Sequence, residues 1–457
     1  MNEAVTPTRD PSVQRRLLSL AWPLILMGVL GFASNAISSY WFGEYLGATG
    51  QAVYTSGAQI AALMGLLLVA IAMGTSVTIA RSVGARDGLG RTMLASALGL
   101  VVAMWLLIFV VMYIVSWPLS EYLAKSAVAP AAVREYLLWS VGLAFPAGGV
   151  SAVIVSAANG AGLTRFALSQ TLIGIAATAG LLPLALGPLD QGVRAQALVA
   201  TVIAVLNGAM LWYRLTRVAA ASHLGTAADR SKILDLKTWW SILNVGLPAQ
   251  LSRATARIVQ VAVLARVAEA GADAIAGYSV AFLLIEIAGA SSGGFASAVQ
   301  ITLGQRLGAK DADGARRTLK IALALALAFP GIAIAAYAFI GPVLVAMIAP
   351  TAAVELAGDR ALQIMMFTLI PASIWQVFLQ AFAAARATKR LLGVTLVAQA
   401  VAFGVANAWA GERIWGAFAT IGTMYTLSVV FYALLAIPVL WRGVLAPAQP
   451  RVPSTST

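Results

Sequence analysis

Residues 83–91 read Val-Gly-Ala-Arg-Asp-Gly-Leu-Gly-Arg, and residues 307–316 read Leu-Gly-Ala-Lys-Asp-Ala-Asp-Gly-Ala-Arg. The second stretch begins 224 residues after the first, in a chain of 457 residues. Further landmarks recur near the same offset: Pro23 with Pro248, Leu46-Gly47-Ala48 with Ala270-Gly271-Ala272, and Phe145-Pro146 with Ile370-Pro371. The chain is therefore predicted to be a duplication of two similar halves.

The composition places both halves in a membrane. Hydrophobic residues make up 60% of the chain and charged residues only 10%, with a mean hydropathy of +0.88, whereas soluble domains are about 25% charged. Apolar runs long enough to cross a bilayer recur throughout, and they are too long and continuous for transmembrane strands. We predict twelve transmembrane helices, roughly at 17–40, 54–79, 93–117, 136–158, 166–187, 194–213, 239–265, 278–302, 319–341, 361–385, 392–410 and 415–441.

These twelve spans predict an all-α polytopic fold of two six-helix lobes. Because each half has an even number of spans, the halves share one orientation and are related by an axis along the membrane normal. The predicted divisions are an N-terminal lobe at 1–222, a cytoplasmic linker at 223–238, a C-terminal lobe at 239–445 and a disordered tail at 446–457. In duplicated transporters the substrate site lies between the repeats.

Charge placement predicts the topology. Most of the 30 Lys and Arg residues fall at the N-terminus and in alternate loops, so the positive-inside rule puts both termini in the cytoplasm of an inner or plasma membrane protein. This distribution accounts for the formal net charge of +13 without nucleic-acid binding. The absence of cysteine excludes disulfides and thiolate metal sites, and the single histidine, His223, lies in the linker.

Three charged residues lie deep within predicted spans, away from the span ends, where burial in lipid is costly and indicates a functional site. Gln250, Arg253, Arg257 and Gln260 form one polar stripe on the seventh helix at spacings of 3, 4 and 3 residues. Glu286, in the eighth helix, is as far from the turn near Gly271 as Arg257 is. The two are therefore predicted to lie at the same depth and to form an ion pair, serving either helix packing or a substrate or proton site.

Uncharged polar side chains also lie within the predicted spans. Asn35 and Ser38 lie in the first span, Gln59 in the second, and Gln376 and Gln380 in the tenth. All are candidates for binding substrate or ion in a cleft lined by spans 1, 2, 7, 8 and 10. Such groups also often hydrogen-bond neighbouring helices, so a purely structural role is the alternative interpretation.

These features together resemble the MATE (multidrug and toxic compound extrusion) family of the multidrug, oligosaccharidyl-lipid and polysaccharide flippase superfamily. The resemblance rests on Trp22-Pro23-Leu24, Gly246-Leu247-Pro248, Gly43-Glu44-Tyr45-Leu46-Gly47, Gly84-Ala85-Arg86-Asp87 and residues 304–311. It implies export by alternating access, driven by inward Na⁺ or H⁺, with no cofactor and no enzymatic activity. Many members carry an Asp at the position of Ser38, so its replacement here argues against Na⁺ coupling.

The sequence thus predicts a secondary active exporter, or antiporter, that removes a small organic molecule, drug or metabolite from the cytoplasm. It favours H⁺ over Na⁺ as the coupling ion. Because Arg253 and Arg257 would repel a cationic drug, we expect a substrate with an anionic or zwitterionic group and a monomeric transporter in the bilayer. The alternatives are a lipid-linked saccharide flippase and a non-coupled channel or membrane scaffold.

Overall fold

A computed structural model describes residues 13–124, 130–217, 234–268, 271–349, 351–408, 426–431 and 434. Its α-helices are α1 (Val13–Ala85), α2 (Gly90–Ala124), α3 (Pro130–Trp139), α4 (Phe145–Gly160), α5 (Thr164–Leu186), α6 (Ala195–Arg217), α7 (Leu236–Ala268), α8 (Ala272–Gly308), α9 (Ala312–Leu325), α10 (Ala328–Ile348), α11 (Ala352–Met365), α12 (Leu369–Ala384) and α13 (Thr388–Ala408). No strand occurs within these ranges.

The described helices account for the first eleven predicted spans. The first two spans both lie in α1, on either side of Gly47, whose φ of 65° and ψ of −167° interrupt the helix. A π-helical turn at Ser140–Ala144 joins α3 to α4 in the fourth span, and a 3-10 turn at Met366–Thr368 joins α11 to α12 in the tenth. Most of the predicted twelfth span, 415–441, lies outside the described residues, as does most of the predicted linker.

Nine segments of the described chain are long and apolar enough to cross a membrane. The helix α7 is not among them, because its glutamines and arginines make it less apolar than its neighbours. Large apolar side chains on α10 point outwards, with Phe339 85% and Met347 79% exposed. Such a surface suits contact with lipid rather than with water.

Backbone conformation repeats between the halves at the predicted offset. Left-handed φ values occur in three pairs of residues that are each 224 positions apart: Gly47 (65°) and Gly271 (110°), Arg86 (56°) and Lys310 (59°), and Gly162 (83°) and Arg386 (59°). The duplication seen in the sequence is therefore also present in the turns, including non-glycine residues that rarely adopt this conformation.

The halves approach each other closely near the turns after the second and eighth spans. A β-carbon on Gly84 would lie 1.9 Å from the carbonyl oxygen of Gln305, and one on Gly308 would lie 2.1 Å from that of Arg81. The two contacts are equivalent under the 224-residue repeat. Glycine lets the backbones of α1 and α8 approach this closely, so this end of the molecule, residues 81–91 and 305–317, is called the closed end below.

Candidate functional site

A cavity of about 610 Å³ lies between the two halves of the chain. It extends from Ser76 and Gln300, on the side of the closed end, to Phe282 and Met365. The predicted spans 1, 2, 7, 8 and 10 all contribute to its wall, through α1, α7, α8, α11 and α12. The first half also contributes α4 and α5, which the sequence did not predict.

The polar stripe of α7 faces this cavity. Gln250, Arg253, Arg257 and Gln260 all line it, whereas Leu251 and Ile258 on the same helix are 46% and 67% exposed at the outer surface. Side chains three and four positions apart share one face of a helix, so one face of α7 is polar. The fold turns that face towards the interior instead of towards lipid.

Arg257 and Glu286 form the predicted ion pair. Nη2 of Arg257 donates to Oε2 of Glu286 over 2.9 Å, and Nη1 donates to Oε1 of Gln260 over 3.1 Å. The guanidinium also lies 5.9 Å from the centre of the Phe282 ring, within the range of a cation–π contact. These three contacts hold Arg257 in one orientation at the cavity wall.

Arg253 lies about one turn along α7 from Arg257 and contacts a different helix. Its Nη2 donates to Oε1 of Gln376 on α12 over a long 3.4 Å. Gln250 reaches the opposite half, where its Nε2 lies 3.6 Å from Sδ of Met73. Gln380 lines the same wall, and its Oε1 is buried without a hydrogen-bond partner. The amides therefore surround the guanidiniums with adaptable donors and acceptors.

The charge of the cavity is unbalanced. Among the residues that line it, the charged ones are Arg253, Arg257 and Glu286, so its wall carries two positive charges and one negative charge. A second negative charge beside these guanidinium groups would be favourable. The described residues include no group of three or more His, Cys, Asp or Glu side chains placed to hold a metal ion.

Two predicted residues lie away from the cavity wall. Asn35 is exposed, and its Nδ2 makes only a 3.5 Å contact with the carbonyl oxygen of Gly31. Ser38 is 2% exposed and hydrogen-bonds Tyr54 within the first half. The side chain of Gln59 lies outside the described residues. The sequence predicts which span a residue belongs to. For a single polar residue in an apolar span, it does not predict which way the side chain points.

Other polar groups of the wall were not predicted. They come from α1, α4, α5, α8 and the 3-10 turn before α12, and they are Ser76, Ser156, Asn159, Thr171, Ser297, Gln300 and Thr368. Isolated hydroxyl and amide groups in apolar spans give no periodic pattern. Only the packing of the helices distinguishes these from the many similar groups that face other helices.

Comparison with known proteins gives one family. A sequence profile of the MatE family matches residues 23–183 and 248–409, one match in each half and together well over half of the chain. A search of curated protein sequences finds no match.

Solved structures share the fold at low identity. A mutant of the Vibrio cholerae MATE transporter VcmN is 16% identical with a TM-score of 0.82, over 95% of this chain and 98% of that one. The eukaryotic MATE transporter AtDTX14 is 13% identical with a TM-score of 0.79, over 95% and 97%. A MOP superfamily transporter from Pyrococcus furiosus, for which reverse polarity of the binding pocket suggests a different function, is 18% identical with a TM-score of 0.78, over 94% and 97%. The fold is the two-lobe, twelve-helix fold of these transporters.

Proposed function

Because the chain belongs to the MatE family of efflux transporters, we propose that it exports a small organic compound that carries an anionic or zwitterionic group. Membership of this family makes the chain a multi-pass membrane transporter and not an enzyme. The family thereby favours efflux over a lipid-linked saccharide flippase. The proposal concerns the charge of the substrate, the coupling ion and the route of transport.

The single observation that carries the proposal is the pair of guanidinium groups at the cavity wall. Arg253 and Arg257 both line the cavity, and the carboxylate among its lining residues is that of Glu286, which pairs with Arg257. A carboxylate or phosphate on the substrate would supply the second counter-charge, and a guanidinium group binds such planar or tetrahedral anions through two N–H groups. The Pyrococcus furiosus transporter with a pocket of reverse polarity gives a precedent for the same fold with altered pocket charge.

Glu286 is proposed to couple transport to protons. A zwitterionic substrate would bind Arg257 through its anionic group and the carboxylate of Glu286 through its cationic group, so substrate and proton compete for that carboxylate. Protonation of Glu286 from outside the cell then releases the substrate, and this mutual exclusion is what an antiporter requires. Na⁺ is disfavoured because it prefers several oxygen ligands that include a carboxylate, and Ser38 offers only a hydroxyl already hydrogen-bonded to Tyr54.

The position of the closed end indicates the direction in which substrate would cross the membrane. If the positive-inside topology holds, the closed end faces the cytoplasm and the cavity is directed towards the opposite side of the membrane. Rocking of the N-terminal lobe (1–222) against the C-terminal lobe (239–445) would open the closed end and load the cavity from the cytoplasm. Since both lobes and the whole cavity belong to one chain, we propose that the monomer is the working unit.

The experiment is ligand-dependent thermal stabilisation of the purified protein, followed by transport in proteoliposomes. Matched anionic, zwitterionic and cationic compounds are compared at two pH values in the wild type, Arg257→Ala and Glu286→Gln. Arg317→Gln, which removes an exposed charge on α9, is the control. We expect stabilisation by anionic or zwitterionic compounds that Arg257→Ala loses.

Uphill export that an uncoupler abolishes separates an antiporter from a channel. Stabilisation by cationic compounds alone, or unchanged export by Arg257→Ala at normal expression, would contradict the proposed substrate class.

A further inference from the structure

The closed end contains two equivalent contacts between the lobes that differ in chemistry. In the first contact, Gln305 on α8 packs against the turn between α4 and α5. Its Nε2 donates to the carbonyl oxygen of Gly160 over 3.2 Å, and its Oε1 accepts from Nη2 of Arg16 over 2.7 Å. Gly162 lies in the same turn, where a β-carbon would be 3.4 Å from Nε2 of Gln305. This contact is satisfied by hydrogen bonds.

The second contact places two arginines at the corresponding positions. Arg81 lies 224 residues before Gln305, and Arg386 lies 224 residues after Gly162. The repeat therefore turns Arg81 of α1 towards the α12–α13 turn, as Gln305 is turned towards the α4–α5 turn. The left-handed φ of Arg386, 59°, matches that of Gly162. The backbone of Arg81 lies against Gly308 of the other lobe, as the backbone of Gln305 lies against Gly84, so both contacts lie at the boundary between the lobes. The positive charge of Arg386 also acts on that of Arg81.

The described residues supply no counter-charge to this pair. Nε of Arg81 is buried without a hydrogen-bond partner, and neither arginine is in an ion pair with a described carboxylate. The three aspartates of the closed end are engaged locally. Asp87 accepts from Ser82 and from the backbone N–H of Leu89, and Asp311 accepts from Arg306 and from the N–H of Gly314. Asp313 pairs with Arg316 over 3.6 Å.

We propose that Arg81 and Arg386 bind a phosphate group that bridges the two lobes at the closed end. Two guanidinium groups present several N–H donors, and a phosphate offers several acceptor oxygens and negative charge. Arg386 is exposed, which leaves the site accessible from outside the lobe boundary. A bound phosphate replaces repulsion between the arginines with two attractions, and it stabilises the conformation in which this end is closed.

The phosphate can belong to an anionic phospholipid headgroup or to a soluble ion, and the test separates the two. The purified full-length protein is unfolded by heat in phosphatidylcholine nanodiscs, and its Tm in sodium phosphate is compared with its Tm in sodium chloride of equal ionic strength. It is then melted in nanodiscs that contain phosphatidylglycerol. The variants are Arg81→Gln and Arg386→Gln, and Arg317→Gln is the control of equal charge change.

We expect the anion to raise the Tm of the wild type and of Arg317→Gln by about 2 °C or more, and to leave Arg386→Gln unchanged. Without the anion, Arg386→Gln melts no lower than the wild type, because the variant loses only a repulsion. A gain with phosphatidylglycerol alone identifies a lipid headgroup, and a gain with sodium phosphate identifies a soluble ion. No gain in the wild type from either source, or an equal gain in Arg386→Gln, overturns the proposal.

Discussion

The guanidinium of Arg257 on α7 and the carboxylate of Glu286 on α8 lie 2.9 Å apart in the wall of the cavity between the lobes. The arginine side chain is 58% exposed and the glutamate side chain 26% exposed. An ion pair this open to the cavity adds little to stability, because water screens it. It is therefore well placed to exchange partners with a ligand.

Glu286→Gln is expected to strengthen the binding of an anionic compound about tenfold, which corresponds to about 1.4 kcal/mol. The amide no longer competes for the guanidinium of Arg257. Binding should also lose part of its pH dependence, because the proposed proton acceptor is gone. Isothermal titration at two pH values measures both effects. Glu135→Gln, which removes the partner of Arg194 outside the cavity, should change neither, and weaker binding by Glu286→Gln would contradict the exchange.

Arg253→Gln is expected to weaken binding of the same compound by about tenfold, and Arg253→Lys by nearly as much. A lysine keeps the charge but loses the planar N–H pairs of the guanidinium. The affinity of the double variant Arg253→Gln with Arg257→Gln, compared with those of the two single variants, tests whether both arginines bind the same anion. If they do, the losses are not additive. Strict additivity would indicate two independent contacts.

Gly308→Ala is expected to abolish most transport while leaving the protein folded in the membrane. The new β-carbon would lie 2.1 Å from the carbonyl oxygen of Arg81, so α1 and α8 must separate. Overpacking of this kind costs about 1–3 kcal/mol. Gly331→Ala on α10, where nothing lies within 4 Å of the added atom, is the matched control. Thermal melting and proteoliposome transport measure the two effects, and wild-type behaviour in Gly308→Ala would show that close approach is not needed.

Ser38→Ala is expected to leave export within about twofold of the wild type and to lower stability by about 0.6 kcal/mol, a common value for a hydrogen bond between membrane helices. The hydroxyl bonds Tyr54 inside the N-terminal half and does not line the cavity. Export measured in sodium and in potassium media should be equal for both proteins. Loss of export with normal expression would assign Ser38 a role in coupling.

Much of the fold follows from patterns along the chain. The 224-residue repeat predicted the duplication, and the same offset recurs in the left-handed residues Arg86 and Lys310. The sequence also predicts that Arg257 and Glu286 lie at the same level, because they are about equally far along the chain from the turn near Gly271. Two antiparallel helices that leave one turn rise by the same distance per residue. The site was only partly predictable. The polar stripe of α7 faces the cavity as expected, but Asn35 and Ser38 do not.

The sequence by itself determined the number of spans, the repeat and the equal level of Arg257 and Glu286, because these depend on hydropathy and on distances along a helix. The tertiary structure alone decided which helix faces meet. It brought Asn159 and Thr171 to the cavity, turned Ser38 to Tyr54, and set the backbone of Arg81 against Gly308 at the closed end. The rotation of a helix about its own axis is fixed by contacts with residues far away in the chain, and no local period records those contacts.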